Sequence, residues 1–121
     1  MKTKQFKSEF NSALEVAIMG KEDFRYDVIK PMFEEYGFGF IIPSFNLIVI
    51  DGERKLGKTI HKFIEAHEVA HYVLGHTAEY NPSDEIEADK LAYTMLDKKG
   101  YKKSAELVIE KFEERHGIKF Y

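Results

Sequence analysis

Apolar residues recur every three or four positions over the first part of the chain, a spacing typical of helices that bury one face. We predict a helix over residues 4–19, where the recurring apolar positions are Phe6, Phe10, Leu14 and Ile18. A second helix is predicted over residues 23–36, and Pro31 must either kink this stretch or open a shorter helix. Gly20 and Gly37 follow the two segments, where glycine commonly ends a helix.

The pattern changes to two short apolar runs between residues 38 and 51. Both runs, 38–42 and 47–50, are rich in the β-branched and aromatic residues that strands favour. The segment between them, Pro43-Ser44-Phe45-Asn46, is typical of a turn. We therefore predict an antiparallel hairpin that ends at Asp51-Gly52.

Three further helices are predicted over residues 59–74, from Asn81-Pro82 to just before Gly100, and over residues 103–116. In the first of them we expect Lys62 and Glu65 to face solvent. Its inward stripe is predicted to consist of Ile60, Phe63, Ile64, His67, Ala70, His71 and Leu74. The predicted fold class is α+β, with a small antiparallel β-sheet (the hairpin) packed with about five helices in a single domain, residues 1–121.

Composition narrows the functions open to this chain. Its 121 residues carry a formal net charge of −3, which argues against a protein that binds nucleic acid through phosphate contacts. The absence of cysteine excludes disulfides, thiolate metal ligands and a cysteine nucleophile. No apolar run approaches the length of a membrane helix, and Glu9 and Glu15 interrupt any signal-peptide core. We expect a cytoplasmic protein that binds neither nucleic acid nor membranes directly, and the oligomeric state stays open.

The segment His67-Glu68-Val69-Ala70-His71 is the zinc-peptidase pattern H-E-x-x-H. Positions four apart lie on one face of a helix, so both imidazoles can reach one metal ion. Glu68 lies between them and can take a proton from water next to that ion, as a catalytic general base. The alternative is a buried helix whose two histidines only make hydrogen bonds in the core.

A hydrolytic zinc site usually has three protein ligands, and the next predicted helix offers Glu85, Glu87 and Asp89. At about 100° per residue, Glu85 lies at the centre of the apolar face and Asp89 about 40° away, whereas Glu87 lies on the solvated side. We therefore predict Zn²⁺ held by His67, His71 and Glu85, with Asp89 accepting an N–H from a ligand histidine. The alternative is that both acids pair with lysine or arginine and bind no metal.

Hydrolysis also needs a hydrogen-bond donor that stabilises the transition state opposite the metal. The candidates are Tyr72, Tyr80, Tyr93 and His76, and the sequence does not choose among them. His76 fits a helix-end or surface position better than a substrate contact, and His61 and His116 are also predicted to lie at the surface.

Three segments together resemble the ImmA/IrrE family of HExxH metallopeptidases. Residues 63–71 are similar to that family's F-x-x-A-H-E-x-x-H segment, and residues 72–76 to the apolar residues and histidine that often follow it. Residues 85–92 are similar to its E-x-E-A-[ND]-x-x-A segment. The resemblance implies a zincin-like arrangement with the H-E-x-x-H helix in the core. It also implies a cytoplasmic zinc protein of bacteria, phages or mobile elements that acts on a protein or peptide substrate, because several members cleave or inactivate a transcriptional repressor.

Two functions are therefore compared. The first is a zinc-dependent endopeptidase in which Glu68 activates water and then passes the proton to the leaving amine. The second is a non-catalytic, anti-repressor-like module in which zinc only stabilises a protein-binding fold. The presence of Glu68 favours the enzyme, because a purely structural zinc site needs no base at that position.

Overall fold

A computed structural model of the chain describes residues 1–76 and 81–121. Within these residues the fold contains four α-helices and one four-stranded mixed sheet, which confirms the predicted α+β class. The predicted small antiparallel sheet is wrong, because the hairpin is only half of the sheet and two of the four strands pair in parallel. The chain divides into two compact units, Met1–Gly57 and Lys58–Tyr121. The assignment of the whole chain to a single domain stays a prediction.

The first unit contains the sheet and one helix. Its strands are β1 (Lys4–Lys7), β2 (Glu15–Met19), β3 (Gly39–Ile42) and β4 (Leu47–Asp51), and its helix is α1 (Tyr26–Tyr36). The strand order is β1-β2-β4-β3; β2 and β4 run parallel, and the two outer pairs are antiparallel. The predicted hairpin is confirmed as β3 and β4. Its connection is a 3₁₀ turn, and Asn46 ends that turn in the left-handed region at φ 50°.

The predicted helix over residues 4–19 is wrong, because the same residues form β1, a turn and β2. The spacing of Phe6 and Phe10 suggested a helix, but polar side chains between the strands bind the local backbone. Ser8 Oγ accepts a hydrogen bond from the Phe10 N–H at 3.1 Å, and Asn11 Oδ1 accepts one from the Ala13 N–H at 2.9 Å. Such bonds offer the backbone an alternative to the helix, which explains why five predicted helices become four.

Helix α1 lies where a helix was predicted, although it begins at Tyr26 and includes Pro31 in its interior. The core next to it is a cluster of five buried residues: Met19, Tyr26, Phe33, Phe40 and Val49. Within this cluster the Phe33 and Phe40 rings are 5.4 Å apart. The Tyr26 hydroxyl donates to the Oδ1 atom of Asp51 at 3.0 Å, so the carboxylate at the end of β4 is buried but paired.

The second unit contains the other three helices, which confirms the prediction for this part of the chain. They are α2 (Gly57–Val73), α3 (Pro82–Lys98) and α4 (Lys102–His116). Asn81 caps α3 as predicted, because its Oδ1 atom accepts the Ser83 N–H at 2.9 Å and Pro82 takes the first helical position. Helices α3 and α4 pack together, and their buried apolar residues are Ala88, Ala92, Leu96, Ala105, Val108 and Phe112.

The buried side of α2 differs from the predicted stripe. Lys62 and Glu65 were expected to face solvent, yet both are buried, because Lys62 Nζ lies 3.2 Å from Glu65 Oε1 in an ion pair. Leu74, expected inside, is 38% exposed. Among the described residues, no helix is long and apolar enough to cross a membrane.

Candidate metal centre

The two histidines of the H-E-x-x-H motif lie one turn apart on α2, with their inner ring nitrogens facing each other. His67 Nε2 and His71 Nε2 are 3.1 Å apart, and the rings meet edge to face with centroids 4.6 Å apart. If neither of these nitrogens carried a proton, two lone pairs would face each other at this distance, which is repulsive. The arrangement therefore calls for a proton or a cation between them.

Glu85, in the first turn of α3, brings a carboxylate to the same point. Its Oε2 atom lies 3.4 Å from His67 Nε2, and its Oε1 atom lies 3.2 Å from His71 Nε2. In a tetrahedral zinc site with bonds of about 2.0–2.1 Å, neighbouring ligand atoms are roughly 3.3–3.4 Å apart. The three side chains thus have both the chemistry and the spacing that suit a zinc ion. Their role as ligands stays a prediction.

Asp89 lies one turn after Glu85 and contacts Nδ1 of His67, which is called the outer ring nitrogen. Its side chain is only 3% exposed, and its Oδ1 atom is 3.2 Å from His67 Nδ1. When His67 Nδ1 carries the proton and donates it to this carboxylate, the Nε2 lone pair is free to bind a metal. The structure therefore places Asp89 where the sequence analysis put it, at the outer nitrogen of a candidate ligand.

His67, His71, Glu85 and Asp89 are together called the metal-site cluster. Its two carboxylates have further partners on α4 that were not predicted from the sequence. Arg115 Nη1 lies 3.0 Å from Glu85 Oε2 and 3.6 Å from Asp89 Oδ2. His116 Nε2 lies 3.4 Å from Asp89 Oδ2, and its side chain is 6% exposed, so its predicted surface position is wrong. One signal could have revealed it, because His116 follows the inward-facing Phe112 by four residues and therefore shares its helix face.

The electrostatics of the cluster reflect these contacts. Burial lowers the pKa of His67, but hydrogen bonds to Asp89 and Glu85 outweigh it and raise the pKa to about 10. For Glu85, burial raises the pKa, and hydrogen bonds from His67 and His71 reverse the shift and hold it well below its ordinary value. Without a metal ion the cluster therefore holds a proton on His67 next to an ionised Glu85.

Glu68, the predicted general base, is partly buried on α2. Burial is the main cause that raises its pKa, the Glu85 carboxylate adds to the increase, and the two motif histidines oppose it. A raised pKa brings a carboxylate closer to neutral pH, which makes it a stronger base. Glu68 thus has the environment of a general base, and its catalytic role stays a prediction.

His76 was predicted to lie at a helix end or at the surface, and the structure places it at the end of α2 but inside the cluster. Gly75 adopts φ +70°, with its N–H bonded to the Tyr72 carbonyl, while the His76 N–H bonds to the His71 carbonyl. This pair of bonds is a Schellman motif, in which a left-handed glycine turns the chain back over the last helical turn. His76 Nδ1 consequently comes within 2.9 Å of His71 Nδ1.

The other candidate transition-state donors are less well placed or lie outside the described residues. The Tyr93 hydroxyl lies 3.0 Å from the Tyr121 hydroxyl, and its position eight residues after Glu85 puts it about 12 Å further along α3. Tyr72 is partly buried on α2, 100° around the helix from His71. Tyr80 falls among residues 77–80, outside the described part of the chain. The assignment of this donor stays open.

Comparison of the chain with protein-family models, with curated proteins and with solved structures gives no match. The resemblance to the ImmA/IrrE family, which covers roughly residues 36–97, stays a prediction, and the proposed function depends on the geometry of the candidate metal centre.

Proposed function

We propose that this chain is a zinc-dependent endopeptidase. The observation that carries the proposal is the convergence of His67 Nε2, His71 Nε2 and the Glu85 carboxylate, with 3.1–3.4 Å between their ligand atoms, beside a partly buried Glu68. When bound, zinc supplies a Lewis acid that polarises a carbonyl and acidifies water.

Residues of the chain bind the ion, orient its ligands and transfer the proton. His67, His71 and Glu85 hold the ion, and Asp89 keeps the His67 proton on Nδ1 so that Nε2 faces inward. Glu68 takes a proton from the attacking water and passes it to the nitrogen of the leaving amine, which completes cleavage of the peptide bond. The raised pKa of Glu68 suits both steps, because the group must accept a proton and then release it.

The proposed substrate is a protein, and a transcriptional repressor is the first candidate. This part of the proposal depends on the resemblance to the ImmA/IrrE family. The formal net charge of −3 argues against a substrate that is recognised through nucleic-acid phosphates.

The second candidate is a protein-interaction module that binds zinc without catalysis. Arg115 favours it, because its guanidinium contacts both Glu85 and Asp89 and helps to close the cluster into an ion-pair network. Such a network can hold a structural ion as well as a catalytic one. Glu68 distinguishes the two functions, since only the enzyme needs a base beside the ion.

The first experiment is metal analysis of the purified protein with Glu85→Ala and Glu87→Ala beside it. We expect one zinc ion per chain in the wild type and in Glu87→Ala, and a strong loss in Glu85→Ala. The Glu87 side chain is 57% exposed, whereas Glu85 faces both histidines. Zinc lost from Glu87→Ala but kept by Glu85→Ala would show that the third ligand is assigned to the wrong residue.

The second experiment separates catalysis from binding. The wild type or Glu68→Gln is produced together with candidate repressors, and the products are analysed by mass spectrometry. Glutamine keeps the size of the side chain and leaves the three candidate ligands in place but cannot act as the base. Fragments with the wild type and none with Glu68→Gln support the enzyme. Equal relief of repression by both proteins, without fragments, supports the interaction module.

A further inference from the structure

The outer nitrogen of His71 faces another histidine, whereas that of His67 faces a carboxylate. His71 Nδ1 lies 2.9 Å from His76 Nδ1, and the His76 side chain is only 7% exposed. On the other side of the His76 ring, Nε2 lies 3.5 Å from Asp84 Oδ1. The two candidate histidine ligands are therefore supported by chemically different groups.

The positions of the protons follow from the role of His71 as a ligand. A neutral imidazole that binds a metal through Nε2 carries its proton on Nδ1. The His71 Nδ1–H then donates to His76 Nδ1, which must present a lone pair. A neutral His76 consequently carries its proton on Nε2, the nitrogen that faces the Asp84 carboxylate. Each ring nitrogen of His71 and His76 thus has one role: His71 Nε2 binds the ion, His71 Nδ1–H donates, His76 Nδ1 accepts, and His76 Nε2–H donates to Asp84.

Local backbone structure fixes the positions of His76 and Asp84. The Schellman motif at Gly75 returns His76 to the last turn of α2, as the bond from the His76 N–H to the His71 carbonyl shows. Asp84 belongs to the first turn of α3, where the helix dipole stabilises a negative charge. Neither position depends on the presence of a substrate.

We propose that His76 is a positioning residue for His71. It accepts the Nδ1–H of His71, and Asp84 fixes the tautomer of His76 by accepting its Nε2–H. This inference rests on the proposed zinc site, because it assigns protons on the basis of metal binding at His71 Nε2. It gives His76 a role different from the surface position and the transition-state donor considered from the sequence.

A second metal ion at His76 is the competing explanation for the same geometry. Atoms of His76, Asp84 and Glu87 lie within 4.8 Å of one another, a spacing that could hold an ion. However, His76 Nε2 cannot bind an ion while it carries the proton that the contact with His71 requires. The proposal therefore predicts one ion per chain, with its ligands at the H-E-x-x-H site.

The tautomers can be read directly from the zinc-loaded protein. Uniformly ¹⁵N-labelled protein is examined by long-range ¹H–¹⁵N correlation NMR, which distinguishes protonated, unprotonated and metal-bound ring nitrogens. We expect zinc on Nε2 of His67 and His71, and a neutral His76 with its proton on Nε2. A His76 protonated on Nδ1, or a second zinc ion bound through His76, would overturn the proposal.

Two substitutions at position 76 test the same point through zinc affinity, measured by competition with a chromophoric chelator. His76→Leu removes the acceptor and should weaken binding by about 10- to 100-fold. His76→Asn keeps an acceptor oxygen close to the position of Nδ1 and should restore most of that loss. His61→Leu makes the same change elsewhere on α2 and serves as the matched control. Equal affinity for His76→Leu and His61→Leu, or no rescue by asparagine, would overturn the role of His76.

The zinc site and the positioning role of His76 are tested by separate outcomes. A wild-type protein that binds no zinc would overturn the proposed metal site and this inference together. Zinc bound at His67, His71 and Glu85 with no effect of His76→Leu would leave the metal site intact and overturn only the positioning role.

Discussion

Replacing Asp89 with asparagine should weaken zinc binding by about 10- to 100-fold. The substitution keeps the size of the side chain and one oxygen but removes the negative charge. Asp89 is a sensitive position because its carboxylate is 3% exposed and faces groups on two helices. Oδ1 lies 3.2 Å from His67 Nδ1, while Oδ2 lies 3.4 Å from His116 and 3.6 Å from Arg115.

The magnitude follows from these contacts. An asparagine that turns its oxygen to the His67 N–H must turn its NH₂ group toward Arg115, so two donors face each other. The opposite orientation places NH₂ against the His67 Nδ1–H and removes the bond that orients the ring. Either arrangement loses one good contact, and a loss of 10- to 100-fold in affinity corresponds to about 1.4–2.7 kcal/mol.

The assay is chelator competition at fixed pH, with Asp97→Asn as the matched control. Asp97 lies on the same helix and is exposed, so the same chemical change should leave zinc affinity within about twofold. NMR titration of the zinc-free proteins should also give His67 a lower pKa in Asp89→Asn than in the wild type, since the hydrogen bond to Asp89 is the strongest influence that raises it. Equal zinc affinities for the Asp89→Asn and Asp97→Asn proteins would refute the assignment of Asp89.

Two further predictions concern stability. Exhaustive zinc removal should lower the melting temperature, because bound zinc stabilises the folded state by about 4 kcal/mol when free zinc is a thousand times Kd. An unchanged melting temperature after verified zinc removal would contradict the proposed site. Tyr26→Phe should lower the free energy of unfolding at neutral pH by about 1–3 kcal/mol, since it leaves the buried Asp51 carboxylate with one donor fewer. Burial, reinforced by the hydrogen bond to Asp51, raises the pKa of Tyr26 from 10.0 to about 12. The contribution of this hydrogen bond to the free energy of unfolding is therefore full below pH 10 and is lost as the pH rises through 12. Urea unfolding of both proteins between pH 7 and 11 should therefore show a shallower alkaline loss for Tyr26→Phe, and parallel curves would refute the pKa assignment.

Much of the fold could be predicted because its signals are local. Caps, glycine stops and helical spacing lie within a few residues of each other, so α2, α3, α4 and the β3–β4 hairpin were located from the sequence. Strand β2 was not located, because it pairs in parallel with β4 about 30 residues later in the chain. Strand β1 pairs with β2 nearby, but the spacing of Phe6 and Phe10 suggested a helix instead. In β2 the consecutive residues Val16 and Ala17 are both buried, so the alternation of a half-exposed strand is missing.

The candidate site shows the same division between local and distant signals. Helical spacing alone placed His67 and His71 on one face and separated Glu85 from Glu87, and the structure brings the first three together. Arg115 was missed because its contacts with α3 depend on how two helices pack. The contact of His76 with His71 was missed because His76 was predicted to lie at a helix end or at the surface, whereas the Schellman motif at Gly75 turns His76 back over the last turn of α2.

Each group that faces the candidate metal position has its own support, and each support comes from a different place. His67 is held by Asp89 of α3, Glu85 by Arg115 of α4, and His71 by His76 beyond the end of α2. The supports also differ chemically, since one is a carboxylate, one a guanidinium and one an imidazole. Arg115 and a protonated His67 would be enough to neutralise the partly buried Glu85 and the buried Asp89. The contact of His71 with His76 has no role in that charge balance, whereas the proposed zinc site gives it one, because a His71 that presents a lone pair inward needs an acceptor for its Nδ1–H.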